Sequence, residues 1–170
     1  ADTFPSKPIT LVVTQGPGSG SDVTGRLLAN YLGPLLGQSV VVENRAGASG
    51  IIGHQSVVRA APDGYTLLFT STAGLFVVPV INANAKYSLG DFSTVAPVMR
   101  APFAVLVANT PTAPKTMSEL ISVIKSGPQS YASAGVGTMT HLGSELVLRK
   151  AGVQATHIPY KGSGAALTDL

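Results

Sequence analysis

The chain has 170 residues, 45% apolar and 11% charged, a balance that excludes a disordered chain and lets a core bury roughly two thirds of the unfolded surface. No apolar run reaches the ~18 residues needed to cross a bilayer, and the net charge of +3 comes from scattered Lys and Arg, which argues against a nucleic-acid partner. Cysteine is absent, which excludes disulfides, thiolate metal sites and a Cys nucleophile.

In chain order, Ile9 to Val13 is a β-branched apolar run and reads as a buried strand. The Gly-rich turn Gln15 to Asp22 follows. Val23, Leu27, Tyr31 and Leu35 then recur at helical spacing, with Leu28 and Leu32 beside them. Ser19 and Asp22 form a capping-box pattern, and Gly33-Pro34 is expected to end or kink this helix. Val40 to Val42 is a second strand and Glu43 to Gly50 a second Gly-rich turn, with a helix from about Ile51 to Ala60. Pro62-Asp63-Gly64 is a turn, because Pro fixes φ and Gly allows positive φ. Tyr65 to Thr70 is a third strand, ending in the small polar turn Ser71 to Gly74, which could open a short helix.

Phe92 to Arg100 and Pro102 to Ala108 read as extended segments, and Pro111 and Pro114 mark a loop. Thr116 and Glu119 predict another capping box, starting a helix through about Lys125. Tyr131 to Ala134 is a short strand. Gly135 to His141 turns into a helix with Leu142, Leu146 and Val147 on one face. Ala155 to Tyr160 is a strand, and Lys161 to Gly164 enters a helix still in mid-pattern at Leu170. Strands alternating with helices predict an α/β class with largely parallel strands. Gly18, Asp22 and Leu27 match Gly137, His141 and Leu146 at one constant offset of 119 residues, the layout of two α/β domains carrying one half-site each. The proline-rich stretch near Arg100 to Pro114 is the expected boundary.

The turns at helix starts carry the chemistry. The first amides of a helix lack partners and the helix dipole places positive charge there. Gly and Ser let a ligand approach closely, so such turns suit phosphate or carboxylate. The candidates are Gly16 to Asp22, Asn44 to Gly50, Ser71 to Gly74, Ser133 to His141 and Lys161 to Gly164. Any single one is also what a tight βα connection requires. Asp22 reads equally as a capping carboxylate and as a ligand contact, since a bare negative group would repel an anion. His141 opens a helix, where the dipole favours a neutral ring able to donate to a carboxylate; capping is its ordinary alternative. His54 and His157 have no partners in the sequence pattern and read as structural or exposed. The histidines lack metal-ligand spacing, so no metal is expected. Lys161 could add a cation near the ligand, although a solvated lysine is the more ordinary reading. Gly16-Pro17-Gly18 with Glu43 imitates a dinucleotide fingerprint, but Ser21 stands at the third glycine position and Pro17 lies inside the turn. No paired acid and base stand out, so no catalytic residue, no enzyme activity and no cofactor are expected.

The stretches Phe4-Pro5-Ser6-Lys7-Pro8-Ile9, Gly16 to Asp22, Val41 to Gly50, Pro62 to Leu68, Ser133 to Leu142 and His157 to Gly162, in this order and spacing, resemble the substrate-binding proteins of tripartite tricarboxylate transporters, the Bug family. The resemblance covers essentially the whole chain. It implies a periplasmic-binding-protein-like, two-lobe α/β fold with mainly parallel sheets. Residues 1–100 would form the first lobe, lacking its C-terminal return segment, and 101–170 the start of the second, cut short. It implies a periplasmic receptor that captures a small carboxylate between the lobes and delivers it to membrane transporter subunits. Carried over, Gly18, Ser19, Ser21 and Asp22 form one half-site and Ser133, Gly137, Thr138 and His141 the other, facing it, while Ser71 and Thr72 line the cleft. The Gln15-Gly16-Pro17-Gly18-Ser19-Gly20 turn departs from the commoner Pro-Gly-Gly type, which affects selectivity. The start Ala1-Asp2-Thr3 is one that removal of a secretory signal leaves. Family members are longer, so a fold incomplete at the C-terminus is expected to expose edges and apolar faces and to associate with another chain. The alternative reading is a dinucleotide-dependent oxidoreductase built on Gly16, Gly18 and Glu43.

Overall fold

The structure, a computed structural model, describes residues 3–170; the Ala1-Asp2 start lies outside the described residues. Strand β1 (Ile9–Val13) runs at the centre of a parallel sheet, between β2 (Val40–Asn44) and β3 (Thr66–Phe69). Ile9 pairs with Val40 and Val13 with Asn44 on one side, and Thr10 pairs with Thr66 and Val13 with Phe69 on the other. A central parallel strand is covered on both faces, which is why β1 is a continuous apolar run. Ile9, Leu11, Val12 and Val13 are all buried, each contributing about 1.5–3 kcal/mol by removal from water.

Parallel strands need crossovers. Helix α1 (Gly20–Leu36) connects β1 to β2, and a 3-10 turn (Ala48–Gly50) with α2 (Ile51–Val58) connects β2 to β3. The winding reverses at β1, and in open α/β sheets ligands bind in the crevice at the carboxyl ends of strands where this reversal occurs. After β3 come α3 (Thr72–Phe76) and α4 (Val78–Ile81). Ile51, Val78, Ala85 and Tyr87 form a core beside the sheet, with Val58 and Phe92 packed against it.

Beyond residue 114 the chain builds α5 (Met117–Ser126), β4 (Ser130–Ser133), α6 (Met139–Ala151), β5 (Thr156–Pro159) and α7 (Ser163–Thr168). Strands β4 and β5 pair in parallel, Ser130 with Thr156 and Ser133 with Pro159. The capping box at Thr116 forms as the sequence predicts: its hydroxyl accepts from the Glu119 amide, and Glu119 accepts from the Thr116 amide. This half buries little; Leu148 is the buried side chain of α6, whereas Leu146 is 56% exposed. An open hollow of about 840 Å³, lined largely by apolar side chains, lies between β4, α5, α6, α7 and residues 103–114.

Two local expectations differ from the structure. Helix α1 continues through Pro34 to Leu36 and ends at Gly37, in the left-handed conformation at φ 65°. Proline so close to a helix end sacrifices a single backbone bond, and Gly37 supplies the stop. Val23, Leu27, Tyr31 and Leu35 are 56–81% exposed. The buried stripe of α1 is Asp22, Gly25 and Ala29. A Cβ on Gly25 would lie 3.0 Å from Val13 Cγ2, so only a small residue lets the helix approach the sheet this closely. Residues 92–108, expected to be extended, belong to no helix and pair in no strand ladder among the described residues. A strand needs a pairing edge, and Pro97 and Pro102 lack the amide that would pair.

Candidate functional site

The two helix entries separated by 119 residues are built alike. Gly18 and Gly137 take φ 75° and 76°. Ser19 and Thr138 follow as N-caps at φ −70°, ψ 159° and φ −71°, ψ 160°. The Ser19 hydroxyl accepts from the Asp22 amide at 3.2 Å, and that of Thr138 from the His141 amide at 3.4 Å. The Ser19 amide donates to the Gly16 carbonyl at 3.3 Å and the Thr138 amide to the Gly135 carbonyl at 3.2 Å. The expected capping box is closed one residue earlier than usual: Gly18 N–H donates to Asp22 Oδ2 at 2.9 Å, and Gly137 N–H to His141 Nδ1 at 3.1 Å. Asp22 and His141 are therefore equivalent braces, each holding the glycine amide four residues before it.

Asp22 is engaged inside the chain. Besides Gly18 it accepts from Arg26 Nε at 3.0 Å and Asn44 Nδ2 at 2.8 Å. Burial pushes its carboxyl upward, but the bonds from Arg26, Gly18 and Asn44 outweigh this and hold it below the ordinary value of 3.8. Asn44 also donates to the Gln15 carbonyl, tying the end of β2 to the turn after β1. The repulsion that a lone carboxylate would exert on an anion is offset by Arg26. His141 accepts from an amide on Nδ1, so its neutral ring carries the proton on Nε2.

A cavity of about 220 Å³ lies between the two halves of the chain. Thr14 at the end of β1, Ser71 after β3, and Ser49 and Gly50 after β2 line one side. Gly135 and Thr138 before α6, with Tyr160 and Lys161 after β5, line the other. This is the crevice that the winding of the first sheet predicts. Of the residues singled out in the sequence, Ser71, Thr138 and Lys161 stand in its wall, together with Gly47 to Gly50 of the candidate turn Asn44 to Gly50. Ser19, Asp22 and Ser133 are buried, Gly137 is buried, Ser21 and His141 are half-buried, and Gly18 and Thr72 are exposed. The nearest partners of the two turns across the halves are other elements. Gly16 N–H donates to the Lys161 carbonyl at 3.2 Å. A Cβ on Gly135 would meet Ser49 Oγ at 3.3 Å, and one on Gly137 would overlap the Ile81 side chain.

Sequence reasoning passed over Thr14 and reached Ser49 only as part of the candidate turn Asn44 to Gly50. Ser49 stands in a run of four positive-φ residues, Gly47 to Gly50, in which Ala48 and Ser49 are not glycine. The signal available was the Gly-Ala-Ser-Gly pattern itself, which also permits an ordinary turn. Beneath this wall a buried polar chain runs from Thr14 to Thr70 to His54. Thr14 Oγ1 and Thr70 Oγ1 are 3.3 Å apart, Thr70 Oγ1 lies 3.0 Å from His54 Nε2, and His54 Nδ1 donates to the Gly50 carbonyl at 2.8 Å. His54 is fully buried and stacked on Tyr87 at 4.6 Å, the structural role expected for it; burial pushes its pKa below 6.5. His157, given no partner from the sequence, lies 2.6 Å from Ser133 Oγ through Nε2. That is the separation of a nucleophile–base pair. However, Ser133 is 2% exposed and its hydroxyl also meets the Gly135 backbone, which leaves it little surface for attack. Glu43, the acid of the dinucleotide-like layout, is held by Arg45 through both carboxylate oxygens, so no free ribose acceptor stands there.

The parallel strands, the crossover helices and a cleft at the strand ends define an α/β fold of the periplasmic-binding-protein kind. The chain belongs to the tripartite tricarboxylate transporter family receptors, whose family model matches residues 24–170. It is 41% identical over 177 residues to the protein BugT of Bordetella pertussis, covering all of this chain and 53% of that protein. A UPF0065 protein of the same organism is 40% identical over 172 residues, with the same coverage. The chain thus spans about half the length of the curated relatives it matches. Among solved structures it is similar to the periplasmic binding protein BugD, at 32% identity and TM-score 0.79, over 98% of this chain and 56% of that one. It is also similar to Rpa4515 of R. palustris, solved with adipate, at 31% identity and TM-score 0.87, with the same coverage as for BugD. Among the described residues no helix is long and apolar enough to cross a membrane.

Proposed function

We propose that this chain is part of a periplasmic receptor that captures a small carboxylate in the cleft between its lobes and delivers it to a membrane transporter. The observation that carries this reading is one crevice at the strand ends lined by the turn that enters α6, beside the matched α1 entry, whose Gly16 amide bonds the Lys161 carbonyl. Thr14, Ser49, Ser71 and Thr138 offer the crevice hydroxyls and Lys161 a cation. Amides and hydroxyls arranged at helix starts favour an anion. At about 220 Å³ the cavity falls below the ~300–1,000 Å³ of drug-sized ligand sites, which favours a ligand of few carbons. The adipate in the solved relative is of that chemistry.

In this reading Ser71 and Thr138 meet the ligand directly, and Thr72 lies at the cleft mouth. Gly18, Ser19, Ser21 and Asp22 shape the first jaw; Ser133, Gly137 and His141 shape the second. Ser133 of the second jaw has nucleophile–base spacing with His157 but is buried, so in this reading the ligand is held and released unchanged. Closure is a hinge motion, and the ligand stabilises the closed state through contacts it makes only there.

The test is calorimetric titration of the full-length receptor with dicarboxylates, amino acids, aromatic acids and a neutral sugar. Heat with one carboxylate class supports the reading. Binding of the sugar and of none of the acids overturns it. Delivery is tested by uptake of the same labelled acid in cells with and without the receptor; equal uptake refutes that part.

A further inference from the structure

The turn that presents Gly135 and Thr138 to the cleft is pinned from behind by two side chains, Ser133 and His141. Ser133 Oγ accepts from the Gly135 amide at 3.1 Å, and His141 Nδ1 accepts from the Gly137 amide at 3.1 Å. Both lean on the same residue. His157 Nε2 lies 2.6 Å from Ser133 Oγ, and its ring stacks on that of His141 at 4.0 Å and 12°. On its other side Tyr131, its register partner in β4, stacks at 5.0 Å, and the Tyr131 hydroxyl donates to Glu145 of α6. His157 thus sits in a column of three rings that joins β4, β5 and the first turn of α6.

We infer that His157 is a positioning residue for the ligand site: it orients the Ser133 hydroxyl and the His141 ring, and through them the amides of the turn that lines the cleft. The inference rests on the proposed ligand site, but its core concerns the turn itself.

The chemistry makes the arrangement sensitive to protons. His141 can accept from Gly137 only while Nδ1 is unprotonated; a doubly protonated ring has two donors and releases that amide. Two imidazolium rings one stacking distance apart repel each other, so His157 opposes a second charge beside His141. The titratable groups facing His157 are Tyr131 from β4 and His141 and Glu145 from α6. Burial and His141 lower the pKa of His157, against the pull of Glu145. A proton on Nδ1 of His141 would therefore release the Gly137 amide and loosen the turn.

The experiment compares full-length wild-type receptor with His157→Phe, which keeps a ring in the column but cannot bond Ser133, and His157→Gln, which can bond Ser133 without titrating. Backbone amide resonances of the turn are followed by NMR at neutral pH, and affinity for the best carboxylate of the titration panel is measured under the same conditions. At neutral pH, His157→Phe is expected to bind about threefold to tenfold more weakly, the effect of one net hydrogen bond, and His157→Gln to recover most of that. In His157→Phe the Gly137 amide resonance, which reports the bond to His141 Nδ1, should shift, and in His157→Gln it should return towards its wild-type position. Equal affinities in the two variants, or a Gly137 amide resonance that does not move in His157→Phe, overturn the inference. If wild type binds no carboxylate, the ligand reading fails, and the Gly137 amide still decides whether His157 controls the brace.

Discussion

Gly18 and Gly137 offer a matched pair of substitutions. Both sit at positive φ, 75° and 76°, directly before a capped helix, so alanine at either position is strained by about 1–2 kcal/mol. In a receptor of the relatives' length each should lower Tm by several degrees, at about 2–4 °C per kcal/mol. The two sites differ in their surroundings. A Cβ on Gly18 meets nothing within 4 Å, whereas one on Gly137 runs into Ile81 at the end of α4, in the opposite half. Ile81 is 53% exposed and can shift, so the overpacking cost falls at the lower end of the range, about 1–2 kcal/mol. That cost exists only when the halves are closed. It should weaken ligand binding about 5- to 30-fold in Gly137→Ala, and Gly18→Ala should retain affinity more nearly. Thermal unfolding measures the first effect and calorimetric titration of full-length receptor the second. Equal losses of affinity in the two variants would refute the argument from the Ile81 contact. An unchanged Tm in Gly18→Ala would refute the argument from backbone strain.

Gly74→Ala places a Cβ 2.7 Å from His54 Cε1 and 2.8 Å from Thr70 Oγ1; a loss of about 1–3 kcal/mol in urea unfolding is expected, and full stability would show that the His54 chain yields freely. His54 is neutral when folded, with its pKa pushed below 6.5 by burial. The unfolded chain therefore takes up this proton first, and stability should decline as pH falls below about 6.5. His54→Gln should flatten that slope between pH 7.5 and 5, and an identical slope in the variant counts against the assignment. The folded pKa of Asp22 lies below its ordinary 3.8, so its contribution is complete at neutral pH and is lost as pH falls through and below that value. Asp22→Asn should destabilise by about 1.5–3 kcal/mol at pH 7, with the gap to wild type narrowing as pH falls from 3.8 to about 3. A gap that stays constant between those pH values contradicts the charge-based account.

The helix entries were legible in the sequence because capping is local. Ser19, Thr116 and Thr138 each act through an amide three residues ahead, and the glycine before each cleft turn is demanded by its φ. The offset that pairs Gly18 with Gly137 carries through to matching dihedrals and matching bonds, so the likeness of the two helix entries could be read without knowing how the chain packs. The parallel α/β class followed from the alternation of apolar runs with helical spacing. Strand order was beyond such reading, because β1 meets β2 and β3 only after two crossovers. That order decides that Thr14 and Ser71 share one crevice. The facing of α1 was also a matter of packing: four large apolar residues at helical spacing outweigh Gly25 and Ala29 on any sequence scale, yet the small residues are the ones that let the helix reach the sheet. His157 is the plainest case. Nothing within a few residues of it is its partner; Ser133, His141 and Tyr131 reach it only because β4 and β5 lie side by side. Short-range hydrogen bonds and dihedral demands are written into the order of the residues, whereas contacts between distant segments exist only once the chain has closed on itself.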